Sequence, residues 1–228
     1  TPIEPKLLKE LNERSDLLGF AQSLGHLAVV AATAGLVFAS YLFVPMPWRV
    51  PVMIVGFFLH GMVTAFMINA VHELVHGTVF KTKKLNEFFG CVFAFIGWIN
   101  HYHFWASHTE HHKYTLHAPD DLEVVLPQPH DIKGFFKHGF ITWRWPWNNL
   151  KHQWRTFRGQ WQDRWSKHIL PEEDQRKQRR VRTWAGVLLG GHLLIAAVSI
   201  AAGWWIIPVV TSLTPMYGRF LFLWINNT

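Results

Sequence analysis

Cysteine is almost absent from this sequence, because Cys91 is the only one among 228 residues. A single cysteine cannot form an intrachain disulfide, so within its apolar stretch it is expected to pack as a small hydrophobic side chain. Internal repeats, low-complexity linkers and abrupt changes of composition are also missing from the sequence. These absences predict one membrane domain that spans residues 1–228.

Charged residues are scarce as well, at 16% of the chain, whereas hydrophobic residues make up 50%. The chain contains 13 Trp and 18 Phe. A soluble protein would have to bury almost all of these rings in one core, whereas a bilayer offers an apolar interior and an interface that favours Trp. The composition therefore predicts an integral membrane protein.

Four apolar segments are candidates for membrane spans, which need about 20 residues to cross a bilayer as a helix. They cover residues 24–44, 51–71 and 184–210, and a fourth begins near Met216 and reaches the end of the sequence before completing a span. The short turn after the first segment predicts an antiparallel hairpin, and the last two segments predict another. Residues 88–99 are apolar but short, which favours a re-entrant or interfacial segment.

Lysine and arginine are distributed unevenly between the predicted loops. Seventeen of the 22 lie between His72 and Thr183, three precede the first span, and Arg49 lies in the first hairpin turn. Because cytoplasmic loops are enriched in positive charge, the N-terminus and the central loop are predicted to be cytoplasmic. The net charge of +7 predicts anionic lipid or an acidic protein as a partner, and basic residues interleaved with Trp argue against nucleic acid.

Trp147, Trp154 and Trp161 recur at seven-residue spacing within the central loop, with basic residues on another helical face. The pattern predicts an amphipathic helix in the head-group region, and an aromatic stripe packed on the protein's own core fits it equally well. The expected fold is an all-α integral membrane protein. It has two transmembrane hairpins, a cytoplasmic histidine-rich cap and interfacial amphipathic helices.

The motif HELVH covers residues 72–76, at the predicted cytoplasmic end of the second span. His72 and His76 are four residues apart, so on a helix both imidazoles project from one face and can bind one metal ion. The same letters match H-E-x-x-H, the zinc-protease motif in which Glu73 would be the general base. That alternative leaves a second histidine cluster unexplained.

The second cluster, HTEHH, covers residues 108–112. Its three histidines can face one side of a helical turn, and with the first pair they supply five imidazoles, one more than a tetrahedral zinc ion binds. A nitrogen-rich site with room for two metals suits iron, which needs open positions for dioxygen. The histidines of this cluster are His108, His111 and His112.

Glu73 and Glu110 lie inside the two clusters and are predicted to accept hydrogen bonds from ligand imidazoles, although either carboxylate could bind iron itself. His192 lies within the third apolar segment and is predicted to be packed or to bridge helices. His101 and His103 are close to the second cluster and are expected to support it or to face the substrate.

The two clusters resemble the first and second histidine boxes, H-x-x-x-H and H-x-x-H-H, of the membrane fatty-acid desaturase superfamily. The order of two spans, box one, a short apolar hairpin, box two and a further pair of spans is also similar. The resemblance implies a third box, expected beyond Thr228, and makes Asn226 a candidate for an Asn that some members carry near the last span. It implies that two iron ions are bound by His72, His76, His108, His111 and His112.

The resemblance further implies an oxidoreductase that uses dioxygen and external electrons on a lipophilic chain. Desaturation of a fatty-acyl group is the first expectation, with hydroxylation of an alkane or other lipid, or decarboxylation of a fatty acid, as alternatives. The sequence shows no pattern for binding flavin or haem, so a ferredoxin, a rubredoxin or a cytochrome is the expected electron donor. The basic cytoplasmic face is expected to bind that donor.

Overall fold

A computed structural model describes residues 4, 6–7, 10, 12–115, 117, 120–123 and 144–217. The regular elements of this part of the chain are all helices, as predicted. We label them in chain order: α1 (Asp16–Phe43), α2 (Arg49–Ala65), α3 (Met67–His76), α4 (Lys83–Ile96), α5 (His101–Tyr114), α6 (Arg144–Phe157), α7 (Arg164–Ile169), α8 (Gln175–Ala201) and α9 (Ile206–Tyr217).

Three helical stretches are long and apolar enough to cross a membrane: Asp16–Phe43, Arg49–His76 and Gln175–Ala201. Many of their large apolar side chains are exposed, as membrane lipid requires; Leu193 and Leu194 on α8 are examples. The fourth apolar stretch, α9, is shorter. The described residues therefore contain three candidate spans, together with the part of a fourth apolar helix that covers Ile206–Tyr217.

The first two candidate spans pack against each other in opposite directions, which agrees with the predicted hairpin. The hydroxyl oxygen of Thr33 on α1 lies 2.8 Å from Nδ1 of His60 on α2. Val37 of α1 packs on Gly56 of α2, and a Cβ atom added to Gly56 would lie 3.0 Å from the Val37 side chain. Such close backbone approach requires a small residue. The second span is interrupted at Phe66, so that α3 begins as a separate helix directly after α2.

The chain leaves α3 at Gly77, which has a φ of 67° in the left-handed region. The amides of Gly77 and Thr78 donate to the carbonyls of Leu74 and Glu73, at 3.0 and 3.2 Å. These bonds satisfy the last carbonyls of the helix and end it immediately after box one. The histidines of box one therefore project from the last turns of α3.

Helix α4 returns along α3 and brings the chain to box two. Phe89 and Phe93 of α4 pack with Val71 and Leu74 of α3 in one buried cluster. At 14 residues α4 is too short to cross a bilayer, as the sequence predicts. Asn100 then caps α5, since its side chain accepts from the amide of His103 at 3.2 Å.

The prediction of one span over residues 184–210 is wrong. Helix α8 ends at Ala201, and Gly203, with a φ of 81°, allows the chain to reverse. Helix α9 then runs back along α8 and begins at Ile206, earlier than the predicted start near Met216. The reversal depends on one left-handed residue, which an average over an apolar window does not detect.

The prediction of one amphipathic helix through Trp147, Trp154 and Trp161 is also wrong in its extent. Helix α6 ends at Phe157, and Gly159, with a φ of 72°, turns the chain. Trp161 follows in the connection to α7. Trp147 and Trp154 are 57% and 52% exposed, so this part of the stripe does not pack on the protein's own core.

Candidate metal centre

Four histidines from two helices converge at the end of α3. Helix α3 contributes His72 and His76, and α5 contributes His108 and His112. One ring nitrogen from each of the four lies within 4.8 Å of all the others. Both pairs have i, i+4 spacing, so each helix presents its two rings on one face toward the other helix.

The Nε2 atoms of three of these rings are spaced like ligands of a common ion. His108 Nε2 lies 3.1 Å from His76 Nε2 and 3.0 Å from His112 Nε2. The Nε2 atoms of His76 and His112 are 3.4 Å apart, so the three atoms form a triangle. Two nitrogens bound to one ion at about 2.1 Å lie about 3.0 Å apart for a bond angle of about 90°, and about 3.4 Å apart for a tetrahedral angle. The donor set therefore fits a transition-metal ion.

Carboxylates beside two of the rings determine which nitrogen of each ring carries the proton. Nδ1 of His72 donates to Glu73 at 2.8 Å, and Nδ1 of His108 donates to Glu123 at 2.8 Å. A ring whose Nδ1 carries the proton presents the Nε2 lone pair on its other side. Glu73 thus accepts a hydrogen bond from a histidine of box one, and its role beside a metal ligand stays a prediction.

His111 has the same kind of partner but lies outside the group of four. Its Nδ1 donates to Asp121 at 2.6 Å, and its ring stacks beside His108 with centroids 5.5 Å apart. Asp121 is only 3% exposed, so its charge acts on this imidazole with little screening by water. The structure thus places the fifth predicted ligand next to the centre, on an adjacent part of the same helix.

The prediction that Glu110 supports a box histidine is wrong. Glu110 accepts from Lys113 Nζ at 2.6 Å and lies 3.6 Å from Nε2 of His168. Its hydrogen bond with Lys113 lowers the pKa of Glu110. At i+2 from His108, Glu110 points away from the helix face that carries the ligand nitrogens.

Asp121 and Glu123, to which the sequence assigned no role, accept from box-two imidazoles the kind of hydrogen bond that was predicted for Glu110. They follow box two in the segment DDLE, which covers residues 120–123. Glu123 also accepts from the hydroxyl of Ser107, which in turn accepts from Trp165 Nε1 at 2.8 Å. This chain of bonds fixes the carboxylate behind His108.

Burial favours the uncharged form of the box-two imidazole. Desolvation lowers the pKa of His108, while the hydrogen bond to Glu123 acts in the opposite direction. A neutral ring is the form that binds a metal ion. Phe104 stacks on His108 with centroids 5.1 Å apart, which keeps that face of the ring dry.

The other histidines singled out in the sequence lie away from this group. His192 bridges helices as predicted, because its two nitrogens bond Ser212 Oγ at 2.8 Å and the Phe95 carbonyl at 3.0 Å. His103 lies 3.3 Å from the hydroxyl of Ser166. Asn226 lies outside the described residues.

Cys91 and His101 form a contact that the sequence did not predict. Nε2 of His101 lies 3.8 Å from the sulfur of Cys91. Burial raises the pKa of the Cys91 thiol and lowers the pKa of His101 to about 4. Both side chains therefore remain uncharged at neutral pH, which suits their half-buried and buried positions.

A protein-family model described as fatty acid desaturase matches residues 49–225, which include both histidine clusters. The chain belongs to the fatty acid desaturase family. No curated protein and no solved structure matches it. Membership identifies this protein as an oxidoreductase of the fatty-acid desaturase or hydroxylase type, with apolar helices that suit an integral membrane protein.

The carboxylate geometry of this desaturase-family protein also differs from that of a zinc protease. The protease alternative requires Glu73 to face a metal-bound water as general base. Glu73 instead accepts from His72 Nδ1 at 2.8 Å and from the Thr78 hydroxyl at 3.0 Å, on the side of the ring opposite Nε2. The position of Glu73 therefore favours support of a ligand over proton transfer to a substrate.

Proposed function

We propose that this protein is a membrane-bound diiron oxidoreductase that desaturates a fatty-acyl chain with dioxygen and external electrons. The observation that carries the proposal is the triangle of Nε2 atoms from His76, His108 and His112, with sides of 3.0 to 3.4 Å. Membership of the desaturase family supports the reaction class.

The proposed iron ligands are the five box histidines. Neutral imidazole nitrogens suit iron, and a set larger than four suits more than one ion. When bound, iron supplies the reduction of dioxygen and the removal of hydrogen from an unactivated carbon. The proposed ligands are His72, His76, His108, His111 and His112.

Three carboxylates are proposed to orient the ligands and to offset the charge of the metal. Glu73, Asp121 and Glu123 each accept a proton-bearing Nδ1, so each holds a ring with its Nε2 free to bind. Hydrogen-bonded carboxylates also raise the basicity of the imidazole ligand. Trp105, whose ring centroid is 5.8 Å from that of His76, adds apolar cover beside the ligands.

A lipophilic substrate is proposed to reach the centre from the bilayer. A groove of about 250 Å³ runs between α1 and α3, and its lining includes Phe66, Leu74 and Phe93 together with Glu73 of box one. Apolar walls that end at a few polar groups are typical of sites for small molecules with an apolar body.

The box histidines and the N-terminus are proposed to face the cytoplasm. Arg49 is the only cation in the turn between the first two spans, whereas α8 opens with five, at positions 176, 177, 179, 180 and 182. This basic face is the proposed docking surface for an acidic electron donor such as a ferredoxin, a rubredoxin or a cytochrome.

Metal analysis of the purified full-length protein tests the proposal. We expect about two iron ions per chain and oxygen-dependent conversion of a fatty-acyl substrate to an alkene. His76→Ala is expected to lose iron and turnover, whereas His168→Ala, which removes an exposed histidine outside the four-histidine group, keeps both. One zinc ion per chain with no oxygen-dependent turnover would refute the proposal, and an alcohol product would replace desaturation by hydroxylation.

A further inference from the structure

A cleft of about 400 Å³ lies between the end of α6 and the start of α8, apart from the histidine centre. Its walls are Phe157, Gln175, Gln178, Arg179, Arg182 and Thr183. The lining therefore combines two guanidinium groups, a hydroxyl and an aromatic ring, and no carboxylate among the described residues lines the cleft. This composition selects an anion that is attached to an apolar group.

Arg182 is held in place rather than free in solvent. Its Nε donates to the carbonyl of Phe157 at 3.2 Å. Its stem passes over Gly159, where a Cβ atom would come within 3.3 Å of Cδ. Gly159 also has a φ of 72°, so both the conformation and the contact favour glycine there. A guanidinium fixed in this way loses less entropy when it binds an anion.

Neither arginine is paired with a carboxylate of the described residues. None of the ion pairs found within the described part of the chain involves Arg179 or Arg182. The backbone at the start of α8 is already capped, because Asp174 accepts from the amide of Lys177 at 2.9 Å. The attraction for an anion therefore comes from the arginine side chains and not from the end of the helix.

The cleft lies at the level where α8 becomes apolar. Arg182 is the last charged residue of this helix, and no charge follows between Thr183 and Ala201. On the neighbouring α6, Trp147 and Trp154 are more than half exposed, as aromatic residues at a membrane interface are. Bilayer phosphates lie at this boundary between charged and apolar residues.

We propose that this cleft binds the phosphate group of an anionic amphiphile, with Arg179 and Arg182 on the phosphate. The apolar part of the ligand would lie against Phe157 and the exposed Val187 of α8. Two ligands share this chemistry: the head group of an anionic phospholipid, and a phosphorylated soluble acyl carrier such as coenzyme A.

Binding measured on the full-length protein in a neutral detergent tests the proposal. The probes are dioctanoyl phosphatidylglycerol, coenzyme A, and dioctanoylglycerol, which has the same chains but no phosphate. We expect Arg179→Gln and Arg182→Gln each to raise the Kd of a phosphate-bearing probe about ten-fold, as loss of a hydrogen bond to a charged group does. Arg176→Gln, which removes a cation from the same helix outside the cleft, is the control and is expected to change Kd less than two-fold, roughly the effect of a screened surface charge.

The two sources give different results. Binding of phosphatidylglycerol that depends on Arg179 and Arg182 identifies lipid as the ligand, and the same dependence for coenzyme A alone identifies the soluble carrier. The proposal is overturned if dioctanoylglycerol binds as tightly as phosphatidylglycerol, if neither arginine variant changes Kd, or if Arg176→Gln weakens binding equally. The measurement needs no iron and no turnover, so its outcome is independent of the proposed oxidation.

Discussion

Replacing Glu123 by Gln tests how the centre is held together. The substitution keeps the size of the side chain but removes the negative charge that accepts from Nδ1 of His108 at 2.8 Å. Ser107 donates to the other oxygen of this carboxylate, and in the variant the amide NH2 of Gln would donate to the Ser107 hydroxyl instead, so the side chain stays anchored. The change is therefore confined to the charge behind one ligand ring.

The expected magnitude follows from the role of such carboxylates. Loss of the hydrogen-bonded partner of a ligating histidine weakens metal binding by about 10- to 100-fold, which corresponds to about 1.4–2.7 kcal/mol. Glu123→Gln retains an oxygen that can still accept from Nδ1 of His108. We therefore expect the loss of metal affinity to be near the lower end of this range, about 10-fold. Asp121→Asn is expected to act in the same direction through His111.

The assay is competition titration of the purified full-length protein with a chelator, followed by metal analysis. Glu110→Gln is the matched control, because Glu110 also lies next to box-two histidines but bonds Lys113. We expect its metal affinity to equal that of the unmodified protein. Equal losses in Glu110→Gln and Glu123→Gln, or no loss in Glu123→Gln, would refute the reasoning.

Three stability measurements check the helix packing outside the four-histidine group. Gly19→Ala would bring a Cβ atom within 2.5 Å of the Phe80 ring and 2.8 Å of the Val79 carbonyl, so we expect a loss of about 1–3 kcal/mol and a lower Tm. Gly25→Ala on the same helix meets nothing within 4 Å and should not lower Tm. Because the pKa of His101 is lowered from 6.5 to about 4, the unfolded state takes up its proton first as pH falls. The free energy of unfolding therefore falls by up to about 3 kcal/mol as the pH drops from 6.5 to about 4. The Tm of His101→Phe should depend less on pH over this range than the Tm of the unmodified protein. His192→Leu removes two buried hydrogen bonds and should lower Tm with unchanged iron content, whereas loss of iron would contradict a purely bridging role.

Spacing along the chain was enough to predict which histidines converge in pairs. His72 with His76, and His108 with His112, are separated by four residues, and the helical period places each pair on one face whatever the surroundings. The presence of three apolar stretches of membrane-crossing length was predictable for a similar reason, because hydropathy over about 20 residues is a local property, whereas the end of the third at Ala201 was not.

The partners of the histidines were not predictable in the same way. Glu110 is close to the ligands in sequence but bonds Lys113, whereas Glu123 reaches His108 from beyond the end of α5. The choice between them depends on the path of the chain after Tyr114 and on Ser107 and Trp165, which anchor Glu123. Those contacts join three separate parts of the chain.

The sequence alone therefore determined the helical class, the membrane-crossing stretches and the two histidine boxes, since each depends on the periodicity or composition of one segment. Tertiary structure decided where α8 reverses at Gly203, which carboxylate supports which imidazole, and that His111 lies beside the other four and not among them. These features depend on one left-handed backbone conformation and on contacts between distant segments, and neither leaves a periodic pattern in the chain.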